Sequence, residues 1–349
     1  MSASKPYFGG AVRLKPHYAW HTIKIDQQKL LTMSHPRNPQ SLLTPAMRDV
    51  LHAIAKAGRP PMALLTPEQA KQAYALGAGV LEVNAQKMAR DDTLHIPTRD
   101  GAMVRAKLWA EHATPNLPVL LYFHGGGFTV GSPETHEALC KHLAHLAHCA
   151  VVSLDYRLAP EHTFPTAHND AFDALQWLSA NATSLGLDAM RIAIGGDSAG
   201  GTLTAATAIA ARDAGIDLKL QLMFYPGCSP EHMASAHTFE KGFLLEKASI
   251  EYFYSHYMPN AADRHDPRFS PMLADVSGVA PAWLGLAECD PLVDEGVAYA
   301  DHLRLGGVAV DLEIYKGVVH SFIQMGRVIP EALTAHMDAA RALRHAFGL

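Results

Sequence analysis

A chain of 349 residues, 48% of them hydrophobic and 18% charged, can bury a sizeable core in the manner of ordinary globular proteins. Its net charge of -5 supplies no basic surface for nucleic acid or an anionic membrane. No stretch reaches the run of about 18 apolar residues that a membrane span requires, so stable membrane insertion is not expected.

Residues 1–40 mix Pro6, Pro16, Pro36 and Pro39 with a poorly periodic middle. An arm, a lid piece or a contact with a second copy all fit, which leaves a homodimer open. The start lacks a charged stretch followed by an apolar one, so no secretory signal is read and a cytoplasmic location is expected. Thr44-Pro45 then supplies a helix N-cap and first-turn proline, with Gly58 as the stop. Thr66-Pro67-Glu68-Gln69 repeats the device, with Gln69 at the N3 position of a capping box.

From about residue 91 the pattern becomes strands alternating with helices. Segments 92–97 and 103–109 flank Asp100-Gly101, a hairpin signal, and Val104, Ala106 and Leu108 alternate as one buried face. The run Pro118–Phe123 is continuously apolar, as a central strand buried on both faces must be. Helix 134–147, strand 149–155, helix 168–180, strand 191–195, helix 199–213 and strand 219–225 follow. Strand 282–287, helix 294–305, strand 309–315 and a helix from about 330 close the chain. Such alternation implies right-handed crossovers and a mostly parallel, doubly wound sheet of the α/β class, with the hairpin as an antiparallel edge. Residues 229–275 interrupt it with a helix near 246–257 that carries Tyr252, Phe253, Tyr254 and Tyr257. The expected division is 1–90 (arm and cap helices), 91–228 (core), 229–275 (cap insertion) and 276–349 (core).

Gly196-Asp197-Ser198-Ala199-Gly200 fits G-x-S-x-G between an apolar strand and an alanine-rich helix. A serine there sits on a sharp turn above the sheet, with the helix N-terminus aimed at developing negative charge. His124-Gly125-Gly126-Gly127 directly follows the buried strand. Three glycines could simply make a tight turn. They could also expose backbone N–H groups as an oxyanion hole, with Gly125, Gly126 and Ala199 as donors and His124 as an anchor. A serine hydroxyl needs a base, and the base an orienting acid, in the chain order Ser, acid, His. Of the histidines beyond Ser198, only His320 lies in a loop just after a strong strand, at the sheet edge where active sites form. His302, His336 and His345 fall in helices, where an exposed side chain is expected. Strand 282–287 likewise ends at Glu288-Cys289-Asp290-Pro291, which makes Asp290 the acid, Glu288 a weaker substitute, and Asp294 and Glu295 helix-start charges.

Other features read as structure. His142, His145 and His148 have three-residue spacing but no carboxylate or cysteine in register, so no metal is expected. Cys140, Cys149, Cys228 and Cys289 lack CxxC or zinc-type spacing and read as reduced, mostly buried thiols. Tyr156–Glu161 contains no nucleophile or base and reads as support beneath the site. Asp197 reads as a loop-fixing acceptor.

The motif set resembles the bacterial hormone-sensitive-lipase family of esterases. The matching residues are His-Gly-Gly-Gly at 124–127, Tyr156-Arg157-Leu158-Ala159-Pro160-Glu161, Gly-Asp-Ser-Ala-Gly-Gly at 196–201, Asp290–Gly296 and His320-Ser321-Phe322. The resemblance covers about residues 66–345. It implies a capped α/β-hydrolase fold with Ser198, Asp290 and His320 as triad and Gly125, Gly126 and Ala199 as oxyanion donors, and it favours ester substrates. Thr202 departs from the asparagine that many members carry there. The expected function is therefore hydrolysis of small or short-to-medium acyl esters without metal or organic cofactor. The same machinery also serves amidases, formamidases and thioesterases, and a non-catalytic receptor would be marked by loss of a triad member.

Overall fold

The computed structural model of the chain describes residues 38–349, so the readings made for residues 1–37 lie outside the described residues. The apolar run becomes β3 (Leu117–Phe123), buried from Pro118 onward. A strand without a polar face needs cover on both sides, which places it mid-sheet. There it pairs in parallel with β4 (Ala150–Asp155) and β5 (Leu187–Asp197). The Asp100-Gly101 turn, with Gly101 at φ +86°, closes the antiparallel hairpin of β1 (Arg90–Pro97) and β2 (Met103–Ala110). Together with β6 (Gln221–Phe224), β7 (Ala282–Cys289) and β8 (Val310–Val319) these form, among the described residues, an eight-stranded sheet in the order β1-β2-β4-β3-β5-β6-β7-β8. From β4 to β8 every pairing is parallel, and β2 joins β4 antiparallel.

Period-two alternation divides β3 between two layers. Leu120 and Tyr122 pack with α3 (Glu137–Ala147) and α9 (Pro330–Phe347), while Val119, Leu121 and Phe123 pack with α4 (Thr166–Asn181) and α5 (Ala199–Asp213). Beyond β7, α8 (Val293–Leu305) adds Tyr299, Ala300 and Leu303 to a smaller cluster with Met223 and Leu284. The four cysteines are buried and unpaired, and burial pushes the Cys149 and Cys289 thiols up to about 12.

β8 outruns its sequence reading by four residues, to Val319. The alternation of Val310, Leu312 and Ile314 goes no further. Gly317, at φ +67°, continues the strand into a register shift opposite Ala287 and Cys289. A Cβ there would lie 2.8 Å from Leu42 O, so glycine lets the preceding chain cross the strand end closely.

That crossing fixes α1 (Pro45–Lys56): Thr44 N donates to Gly317 O, and the Thr44 side chain caps Met47 N at 3.2 Å. α2 (Pro67–Gly77) starts in the expected capping box, with Thr66 and Gln69 bonded reciprocally. Residues 229–275 carry α6 (Ala234–Thr238) and α7 (Lys247–Tyr257). Tyr252 and Phe253 of α7 meet Ala70 of α2, Met62, Leu65 and Val130 in a separate apolar cluster. Elements distant in sequence thus lie over the C-terminal edge of the sheet.

Candidate active site

Ser198 stands alone between β5 and α5 at φ 54°, ψ −120°, a region that costs a non-glycine residue about 1–3 kcal/mol. The surroundings hold it there. Ser198 N donates to Phe224 O of β6 at 2.9 Å. A Cβ on Gly196 would sit 2.4 Å from Phe123 O, and one on Gly200 would sit 1.9 Å from the same atom. Both glycines are therefore dictated by close approach to β3. Thr202 Oγ1 donates to Gly227 O at 2.6 Å, tying the first turn of α5 to the chain leaving β6.

Three residues from three strand ends converge. Ser198 Oγ lies 2.9 Å from His320 Nε2, and His320 Nδ1 lies 2.6 Å from Asp290 Oδ2. Asp290 is fully buried and its other oxygen accepts from Leu292 N at 2.9 Å. The competing acids face elsewhere. Glu288 accepts from Lys316 Nζ and Gly317 N, and Asp294 accepts from Ser235 N. Ser235 Oγ also donates to Pro291 O at 2.7 Å, so residues 229–275 brace the Asp290 loop.

Glu295 lies in the first turn of α8, as expected, but there as a buried acceptor and not an exposed charge. It is 1% exposed and accepts from the amides of Cys228 and Ser229. Burial pushes its carboxyl up to about 8, against the pull of those amides. An acid with a folded pKa above its usual value loses stability as pH rises between the two. Stability relative to a Glu295→Gln variant should therefore fall from about pH 5 to pH 8, by at most about 1.4 kcal/mol per pH unit. Urea unfolding of both proteins at pH 5, 7 and 9 reads this, and a pH-independent difference would contradict it.

The glycine loop requires a correction. The buried Gly125 amide donates to Asp197 Oδ1 at 3.0 Å and so is engaged, not directed at a ligand. Gly126 and Gly127 instead line the cavity with Ala199, and none of these three amides meets an acceptor among the described residues. Asp197 also accepts from Tyr122 Oη at 2.7 Å and lies 3.5 Å from His136 Nε2. Burial opposes both charges, but mutual attraction prevails: the carboxyl is held below its usual range and the imidazole above. His124 is buried and neutral, its pKa lowered to about 3 by burial and then by the His136 charge. Its Nδ1 donates to Gly125 O at 2.8 Å, its ring stacks on Tyr156, and Tyr156 Oη donates to His124 O.

His136 was not singled out in the sequence, although Cys140 and Leu143 lie four and seven residues on, which places it at the start of α3 in line with that helix's buried face. His336 is also a correction, since it is buried and not exposed. Its Nε2 donates to Ile323 O at 2.8 Å, and its Nδ1 lies 2.9 Å from His142 Nδ1, where α9 packs on α3.

Ser198 and His320 open on a cavity of about 950 Å³. Its walls come from α1, α2, the segment to Glu82, α7 and Phe269, and are mostly apolar.

Parallel sheet, strained serine turn and glycine loop together define an α/β-hydrolase. The comparisons agree: residues 120–324 match the family model described as the alpha/beta hydrolase fold. An ethyl acetate hydrolase from Pseudomonas putida is 42% identical over 279 residues, covering 78% of this chain and 88% of that protein. A carboxylesterase from Mycobacterium tuberculosis is 37% identical over 273 residues, covering 76% and 83%. Among solved structures, a hyperthermophilic esterase from Pyrobaculum calidifontis superposes with a TM-score of 0.83 at 35% identity, covering 87% of this chain and 98% of the other. The chain belongs to the α/β-hydrolase fold family, and the resemblance to its hormone-sensitive-lipase-like esterases holds. No helix among the described residues is long and apolar enough to cross a membrane.

Proposed function

We propose that the chain is a carboxylesterase that cleaves short-to-medium acyl esters by two-step acyl transfer at Ser198. The observation that carries this reading is the continuous chain Asp290–His320–Ser198, with contacts of 2.6 and 2.9 Å, opening on an apolar cavity. The esterase names of the relatives and structural neighbour support the substrate class.

His320 takes the Ser198 proton as the hydroxyl oxygen attacks the ester carbonyl, and Asp290 steadies the imidazolium that forms. The tetrahedral oxyanion rests on the Gly126, Gly127 and Ala199 amides, while Gly125 holds the loop through Asp197. His320 then protonates the departing alcohol. A water, deprotonated by the same histidine, releases the acid from Ser198. Residues 39–90 and 229–275 act as the cap that encloses the acyl chain.

A finite apolar pocket sets the chain-length preference. Each buried CH₂ contributes about 0.8 kcal/mol, or about fourfold in kcat/KM, until the space is filled. A series of p-nitrophenyl acyl esters should therefore peak at roughly two to eight carbons, with the matching anilides far slower. Activity rising steadily to emulsified long-chain triglycerides would contradict an enclosed pocket.

A further inference from the structure

We infer that Glu82 makes the cavity selective for esters bearing a cationic group, a quaternary or primary ammonium on the acyl or alcohol arm. The inference rests on the ester-hydrolase reading and adds a substrate class to it. Glu82 is 3% exposed yet lines the cavity. Its neutral partners are Gln324 Nε2, 3.3 Å from Oε1, and the Leu139 amide. Gln324 cannot turn to serve it better, because Nε2 also donates to Thr135 O and Oε1 accepts from Tyr74 Oη.

The titratable neighbours of Glu82 are His136, Asp197, Tyr74, Tyr225 and Cys140. The one cation in that set, His136, is 3.5 Å from Asp197 and is matched by it. His136 still attracts Glu82, but among the described residues no cation forms an ion pair with its carboxyl, so a charge there lacks a matched partner at the cavity wall. The other acidic and basic lining residues include Asp49 and Arg59, both exposed, and the buried Asp197, which His136 matches. Tyr74, Phe253 and Phe269 also line this space, and aromatic rings favour cations over neutral isosteres. Burial pushes the Glu82 carboxyl up to about 7, with the His136 charge acting in the opposite direction. Glu82 therefore gains its charge around neutrality, adding to the negative side of the wall as pH rises.

Butyrylcholine and 3,3-dimethylbutyl butyrate differ only in a permanent charge, nitrogen replacing carbon. The ratio of their kcat/KM values cancels any pH dependence of the acyl-transfer step itself, which serves both. From pH 6 to pH 8.5 this ratio should rise about fivefold, the scale of a partly desolvated charge contact. In Glu82→Gln it should stay at its low-pH value throughout, and in Asp49→Asn it should still rise. A flat ratio in the native enzyme overturns the inference. So does a rise that survives Glu82→Gln or vanishes in Asp49→Asn. Hydrolysis of p-nitrophenyl butyrate with neither butyrate ester turned over overturns the inference and leaves the esterase reading standing. No turnover of any ester sinks both.

Discussion

Ser198→Ala is expected to lower kcat for p-nitrophenyl butyrate by about six orders of magnitude, the scale seen when a serine protease loses its nucleophile. No neighbouring group can substitute. Thr202, one turn along α5, is committed to Gly227 O, and Ser321 lies beyond His320 in a left-handed conformation that begins the next turn. The fold should survive, because the hydroxyl makes one hydrogen bond, to His320, and the backbone at Ser198 is held by Phe224 O. Alanine carries the same Cβ, so the cost of the strained turn is unchanged. Circular dichroism and a urea midpoint close to the native value should accompany the loss of turnover.

The second large effect concerns the acid. Asp290→Asn should cost about four orders of magnitude in kcat, since an isosteric amide favours the wrong imidazole tautomer and cannot stabilise the imidazolium. Asp294 and Glu288 provide internal controls. Asp294→Asn replaces the charged acceptor of Ser235 N by a neutral amide oxygen and weakens the brace on the Asp290 loop, so stability should drop by about 1 kcal/mol with kcat nearly intact. Glu288→Gln disturbs only the Lys316 and Gly317 contacts. Steady-state kinetics of the three variants separate the roles. A crippled Asp294→Asn beside a near-normal Asp290→Asn would reassign the acid while leaving Ser198 and His320 in place.

Much of this arrangement was legible in the sequence because local chemistry dictates it. A serine between an apolar strand and a helix, flanked by glycines, has few other conformations. Strand ends followed by Asp290-Pro291 and by His320 point to one edge of a parallel sheet. The Thr44 and Thr66 caps likewise depend only on neighbours a turn away.

What could not be read depends on contacts between distant segments. The motif His-Gly-Gly-Gly does not say which amide is engaged internally. That is decided by Asp197, 72 residues on, whose carboxylate reaches Gly125 across the β3–β5 pairing. His336 is buried because α9 packs on α3, a meeting of helices nearly 200 residues apart. At Gly317 of β8 the segment Leu42–Thr44, which leads into α1, crosses the strand end. The charge pair His136–Asp197 and the buried Glu82–Gln324 contact appear only once segments far apart in the chain are brought together.

Esterase action at Ser198 is tested most directly by identifying the nucleophile. Incubation with a fluorophosphonate probe, followed by proteolysis and mass spectrometry, reports which side chain forms the covalent bond. The reading requires one adduct per chain, on the peptide containing Ser198, with loss of esterase activity in step with labelling and no adduct in Ser198→Ala. An adduct on another residue that tracks inactivation, or an Ser198→Ala protein that still hydrolyses esters at the native rate, would contradict it.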